Sequence, residues 1–365
     1  MDHKEKLLAP FHTTGLSLRN RVVMAPMSRR RSPAGIPNDA TRIYYGQRAS
    51  AGLIITENTV VAPNGTGILH TPGIYNEAQK AGWKAVTDEV HAKGGKIFMQ
   101  LVHGGRIGHA LNNDDGLPLV APTAIQAAGV VRIAGDLRVP MSVPEELSTA
   151  DTKNLVTAFI KAAERAIEAG MDGVEIHAAH GYLIEQFLHP HTNHRTDEYG
   201  GSIINRSRFL LEIVAGVVKA IGKERTGIRL SPFATLNDQP SYEEEEATHL
   251  YLADALQQLG ILYVHISDQS SNGHPPVPVS FIQAFRKRFR HLMILAGGYT
   301  AASAEAALQS GLADLIAFGR PFIANPDLVE RFQLNAPLAT GDASTFYEGG
   351  NEGYIDYPTL QCATV

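Results

Sequence analysis

The sequence predicts a (β/α)8 TIM barrel, and three observations carry that prediction. Eight short apolar runs alternate along the chain with stretches of helical period. No long antiparallel section interrupts the repeat. Polar residues gather where the apolar runs end, at Ser28, Asn58, Gln100, His177, Arg229, Gly297 and Arg320, and barrel enzymes place their chemistry at such strand ends. A doubly wound open sheet would need fewer strands or a second domain, and no linker is visible in the 365 residues. One domain spanning 1–365 is expected, since barrels with enlarged loops commonly reach this length.

In chain order, a leader with a turn at Thr14-Gly15 precedes the first strand, Arg21 to Pro26, which proline closes. Residues 41 to 51 read as a helix ending at Gly52, and Leu53 to Val61 as a second strand carrying Thr56, Glu57, Asn58 and Thr59 late in its run. Glu77 to Lys93 has helical period with Ala81, Val86 and Val90 inward, and it stops at Gly94-Gly95 before the strand Lys96 to Val102. Residues 104 to 147 are rich in Gly and Pro and hold a possible hairpin, Gly129–Arg132 with Asp136–Val139. A loop of this length after the third strand suggests a cap over a functional face.

Ser148 opens an amphipathic helix to Ala169, and the central strand, from Gly173, follows it. The remaining pairs are a helix from Asn205 to Ile221 with the strand Gly227 to Pro232, and a helix through Glu243–Glu246 to Leu259 with the strand Tyr263 to Ser267. A helix from Ser280 to Phe289 then precedes the strand Leu292 to Gly298, and a Thr300-capped helix to Gln309 precedes the strand Asp314 to Pro321. The acidic run at 243–246 reads as a solvated first turn, where carboxylates suit the positive end of the helix dipole.

Charge and cysteine usage narrow the partners. With 32 Lys and Arg against 37 Asp and Glu, the net charge of −5 offers no basic field for nucleic acid or anionic lipid. Cys362 is the single cysteine, which rules out an internal disulfide framework and any multi-cysteine metal centre. The charged N-terminus and the lack of a membrane-length apolar run point to a cytoplasmic protein acting on small molecules, as a monomer or homodimer.

The richest stretch is Val174 to Tyr182, a buried strand that releases His177, His180 and Tyr182 within six positions. Two imidazoles able to donate to one electron-rich atom, with a phenol beyond them, are equipment for polarising and protonating a substrate. A metal pair, or two satisfied polar residues, would use the same spacing. Gly297-Gly298 and Gly319-Arg320 end the last two strands, where barrels often hold a phosphate, and glycines allow close backbone approach while arginine adds a bidentate contact. Gln100 and Arg229 suit a flat heterocycle with adjacent donors and acceptors, although each also suits an ordinary buried pairing. No Gly-x-Gly-x-x-Gly follows a first strand, so a Rossmann nicotinamide site is not indicated.

With these pieces in order, the chain resembles the Old Yellow Enzyme family of NADH:flavin oxidoreductases, close to the branch of N-ethylmaleimide reductase and pentaerythritol tetranitrate reductase. The resemblance runs through Asn20–Arg29, Thr56-Glu57, Gln100-Leu101 with His103 and Gly105-Arg106, and the central His177-x-x-His180-x-Tyr182. It continues through Asn193–Ser202, Asn205-Arg206, Arg229–Pro232, Phe318–Pro321 with Asn325–Leu328, and Tyr354–Pro358. It implies non-covalent FMN, with Pro26, Met27, Ser28, Asn58, Gln100 and Arg229 about the isoalloxazine and Gly297, Gly298, Gly319 and Arg320 about the phosphate. It implies NADPH or NADH as electron donor and electron-poor alkenes, with nitro compounds or nitrate esters as further substrates and no metal. His177 and His180 would anchor the substrate oxygen, Tyr347 would line its cavity, and Tyr182 would protonate the α-carbon after hydride reaches the β-carbon.

Four positions depart from the family pattern. Ser28 replaces a common threonine and so loses the methyl that fixes the rotamer, and Asn58 stands where relatives carry Ala or Gly. Val102 and Ile68 replace aromatics of the substrate cavity. Tyr357 is expected at the flavin edge or in lid packing.

Overall fold

Eight short strands, nearly all of whose residues are buried, pair in parallel and close on themselves. They are β1 (Val22–Met24), β2 (Leu53–Ile55), β3 (Ile97–Val102), β4 (Gly173–Ala178), β5 (Thr226–Leu230), β6 (Tyr263–Ser267), β7 (Leu292–Ala296) and β8 (Leu315–Phe318). Each pairs with the next, and Ile316 opposite Val22 joins β8 to β1. The outer ring is α1 (Asp39–Gln47), α2 (Glu77–Ala92), α3 (Thr149–Glu168), α4 (Ile203–Ile221), α5 (Glu245–Leu259), α6 (Val279–Arg288) and α7 (Ala301–Gln309), with α8 (Leu328–Leu334) after β8. This computed structural model describes residues 5–347 and 349–360, so Cys362 lies outside the described residues. Among them no helix is long and apolar enough to cross a membrane.

The helix starts follow from side-chain capping. Asn38, Asn76, Ser148, Ser202 and Thr300 each accept a backbone N–H three residues on, and Asn38 and Thr300 complete reciprocal capping boxes with Thr41 and Ser303. The expected hairpin forms, with Val131 opposite Val139. The leader turn at Thr14-Gly15 forms, and two expectations, on the second strand and on Glu245, need correction. The second strand breaks after Ile55 because Glu57 turns its carboxylate to the N–H groups of Arg29 and Arg30, and pairing resumes only at Thr59–Val60. The leader is a hairpin, Phe11–Thr13 with Leu16–Leu18, whose leucines join the apolar cluster inside the barrel. Glu245 is not solvated: it is buried and accepts the Phe233 N–H at 2.6 Å, and burial raises its pKa.

The barrel interior is apolar at its lower end, where large rings fill the room left by glycines. A Cβ on Gly173 would stand 2.5 Å from the Phe98 ring, and one on Gly227 2.2 Å from that of Tyr263. One layer higher the interior turns polar, with Gln100, Glu175, His265 and Arg229. Arg48, fully buried at the end of α1, ties the rim of that end in place. It donates to the carbonyls of Tyr44, Phe322 and Ile323 at 2.7 to 2.9 Å, and its guanidinium lies 3.8 Å from the Tyr44 ring centroid. Arg48→Met is expected to leave three buried carbonyls without donors and to lower stability by about 3 kcal/mol or more, read as a fall in the urea midpoint at unchanged slope.

Candidate active site

The C-terminal strand ends open into one cavity of about 570 Å3. Pro26, Met27 and Ser28 reach it from the end of β1, Asn58 from beyond β2, His177, His180 and Tyr182 from β4, and Arg229 from β5. Across the barrel, Gly297 and Gly298 follow β7 and Gly319 and Arg320 follow β8, while Tyr347 reaches in from the C-terminal segment. Gln100 does not line the cavity: it lies one layer below His177, opposite Glu175. Ile68 lines it, whereas Val102 is covered where Val60 pairs beside it. Tyr357 stays outside, its hydroxyl accepting the Asp342 N–H at 3.1 Å.

The centre is a buried carboxylate. Glu175 accepts from Gln100 Nε2 at 2.7 Å and from His265 Nδ1 at 2.9 Å, with both partners fully buried. Burial lowers the His265 pKa, so a neutral imidazole makes that contact, and burial brings Arg229 down to about 10, still cationic at neutral pH. Arg229 donates to Ser267 Oγ at 3.2 Å, and Gln269 Nε2 donates to the same oxygen at 2.7 Å. With both lone pairs so engaged, Ser267 has its hydrogen to give to His180 Nε2, 3.0 Å away, which puts the His180 proton on Nδ1. His180 is therefore held by Ser267, whereas His177 keeps its buried Nδ1 without a partner.

The loop after β4 depends on a second carboxyl group. His180 and Gly181 both have left-handed backbone, φ +59° and +73°. Glu185 accepts the Gly181 N–H and also the Ser231 hydroxyl at 3.0 Å, and Ser231 in turn accepts the His180 N–H at 2.8 Å. Burial pushes Glu185 up to about 8. The His177 and His180 rings stand 5.2 Å apart, nearly perpendicular, and Tyr182 lies 5.2 Å from His177. Burial first, then the Arg229 charge, holds both histidines well below the usual imidazole range, so both are neutral donors. Burial raises the Tyr182 phenol, against the Arg30 charge and hydrogen bonds from Asn58 and Asn237.

The far wall is built for close backbone approach. Gly298 has φ +69°, and a Cβ on Gly297 would meet that of Asp268 at 2.7 Å. Arg320 is exposed and donates at long range, 3.5 Å, to the Ser271 carbonyl.

A family model described as the NADH:flavin oxidoreductase / NADH oxidase family matches residues 6–339. The chain belongs to that family, the Old Yellow Enzymes. It is 40% identical over 359 residues to 12-oxophytodienoate reductase 2 of Arabidopsis thaliana, covering 97% of this chain and 96% of the relative. It is also 40% identical over 360 residues to a Leishmania infantum protein named "Probable flavin mononucleotide-dependent alkene reductase", covering 97% of each. Among solved structures, morphinone reductase superposes with a TM-score of 0.94 at 47% identity, covering 98% of this chain and 97% of that one. A structure of that enzyme in complex with tetrahydroNAD superposes equally well, with a TM-score of 0.93. This Old Yellow Enzyme is accordingly an FMN-dependent oxidoreductase that takes electrons from a reduced nicotinamide and reduces alkenes.

The residues present fit FMN. Gln100 Oε1, His177 Nδ1 and Arg229 Nε are buried polar atoms without protein partners, on three adjacent strands. One acceptor beside donors answers a planar heterocycle that has both kinds of edge. The glycine wall with Arg320 answers the phosphate.

Glu175, Glu185, Ser231 and Ser267 were not among the site residues expected from the sequence. A glutamate inside an otherwise apolar strand is the signal that would have found Glu175, because a charge is buried only with donors at hand. Glu175→Leu is expected to strand the Gln100 and His265 donors and cost about 2 to 5 kcal/mol, measured by urea unfolding of the apoprotein. An unchanged midpoint would show that neither donor depends on it.

Proposed function

We propose that this enzyme reduces the C=C bond of α,β-unsaturated carbonyl or nitro compounds, with His177 and His180 binding the substrate oxygen and Tyr182 delivering the proton. The observation that carries the reading is the grouping of two neutral imidazoles and a protonated phenol at the β4 end of a cavity whose far wall fits a phosphate. Bound FMN supplies the hydride chemistry, between the nicotinamide and the alkene β-carbon. The protein's part is positional and electrostatic.

As negative charge grows on the substrate oxygen, His177 and His180 strengthen their donated hydrogen bonds, and the permanent charge of Arg229 lies behind them. Asn58 and Asn237 lie beside the Tyr182 phenol and oppose the rise that burial imposes on its pKa. Asn58 thereby takes a role toward the proton donor beside the flavin role expected from the sequence. Pro26, Met27, Ser28 and Arg229 line the isoalloxazine in this reading, with Gln100 one layer below them, and Gly297, Gly298, Gly319 and Arg320 hold the phosphate.

Two outcomes test these assignments. Tyr182→Phe is expected to leave flavin reduction by the nicotinamide near the parent rate and to slow alkene reduction by about 10²-fold or more. Because the folded phenol titrates above its ordinary value of 10.0, its acid form persists as pH rises to that value and is lost only beyond it. Rapid-mixing measurements should therefore show no tyrosine-dependent loss below about pH 10, and equal slowing of both half-reactions would sink the proton-donor role. For the phosphate, Arg320→Ala should weaken FMN retention by about 1.5 to 3 kcal/mol in equilibrium dialysis, the value of one charge-assisted contact. Unaltered retention would place the phosphate elsewhere.

A further inference from the structure

Three consecutive arginines follow β1, and the structure uses them differently. Arg29 donates to the carbonyls of Phe346 and Gly353, and Arg31 to those of Thr345, Gly350 and Glu352, so these two fasten the C-terminal segment. Arg30 points the other way. Its backbone is left-handed, φ +54°, a conformation unfavourable for a residue with a side chain, and Glu57 holds it there by accepting the N–H groups of Arg29 and Arg30 at 2.9 and 3.3 Å. The result is a guanidinium that lines the main cavity and also a side pocket of about 160 Å3 with Ile68, His70 and Tyr347. Its Nε is buried without an acceptor, its Cζ lies 5.3 Å from the Tyr347 ring centroid, and among the described residues it forms no ion pair.

We propose that Arg30 is a specificity residue that binds an anionic group, a carboxylate or phosphate, on the molecule entering the cavity. A half-buried arginine with an unused fork is matched by a two-oxygen anion, and its rigid donors give a directional contact. The guanidinium carbon lies over the Tyr347 ring, a cation–π contact that holds the charge at the mouth. The charge also reaches Tyr182, where it opposes the effect of burial on the phenol, so the anion would sit on the proton-donor side of the substrate. Favoured substrates are then electron-poor alkenes carrying a carboxylate away from the activating group. This rests on the ene-reductase reading, and the ribose 2′-phosphate of NADPH is the other source of the same chemistry.

The test compares the FMN-loaded parent with Arg30→Met and Arg30→Lys. Calorimetric binding of a saturated cyclohexanone carboxylate and of plain cyclohexanone needs no turnover, so its outcome is independent of the ene-reductase reading. The carboxylate should bind the parent more tightly, lose about tenfold or more in Arg30→Met, and weaken with added salt, while the neutral ketone stays level. Arg30→Lys should recover part of the loss. Oxidation of dithionite-reduced enzyme by cyclohexenone with and without a ring carboxylate should show the same split in kcat/KM. If instead the loss falls on reduction by NADPH but not NADH, the anion bound is the coenzyme phosphate. Equal binding of charged and neutral probes by parent and variant, with no NADPH-selective loss, would overturn the assignment.

Discussion

Burying the Glu175 carboxylate inside a closed barrel is the constraint on which the upper half of this structure depends. A carboxylate removed from water must be met by donors, and here they come from β3 and β6 on either side of its own and the adjoining strand. Meeting that demand uses the amide nitrogen of Gln100 and leaves its buried oxygen unpartnered. It also supplies the negative charge that keeps Arg229 cationic despite a burial that lowers its pKa. The orientation of groups at the cavity floor is thus decided one layer beneath it, by the hydrogen bonds of Glu175 to Gln100 and His265.

The loop after β4 adds a second constraint of a different kind. Left-handed backbone at a histidine is unfavourable by roughly 1 to 3 kcal/mol and persists only where surrounding contacts over-determine it. At His180 they do, since Ser231 takes its N–H, Asn237 donates to its carbonyl at 2.7 Å, and Glu185 fixes the next residue. The consequence is positional. An ordinary extended exit from β4 would carry His180 away from His177, whereas the reversed turn brings the two rings to 5.2 Å and delivers Tyr182 beside them.

Most of the architecture was legible because it is local. Strand runs, caps such as Ser148 and Thr300, and the hairpin at 130–140 each declare themselves within a few residues. So did the strand-end residues, nearly all of which meet in one cavity. What sequence could not supply are partnerships across long separations: Gln100 with Glu175 is 75 positions apart, and His265 with Glu175 is 90. The break after β2 has the same origin, because Glu57 leaves its strand to serve backbone donors 28 positions back. Glu245 misled for a related reason, since an acidic run at a helix start suits solvent and dipole equally, and only the fold shows that one of its members turns inward to Phe233. Val102 and Tyr357 were placed by likeness alone, and neither reaches the cavity.

The protonation states at the site fit together as a single electrostatic design. His177, His180, His265 and His103 are all shifted downward by burial, His103 to about 3, so none becomes cationic near neutral pH. Among the described residues every positive charge lining the cavity therefore comes from arginine: Arg229 at the floor, Arg320 at the far wall, and Arg29 and Arg30 beyond β1. Arginine does not titrate in this range, whereas imidazolium would switch on as pH fell through 6. An imidazolium pair beside Arg229 would also repel it and, lacking water, would be costly to hold. Neutral histidines instead contribute direction, each offering a hydrogen bond along a fixed line, while the arginines contribute a field that stays constant with pH. Such a division suits a site that meets a neutral polar oxygen in the ground state and stabilises negative charge there only as a reaction develops it.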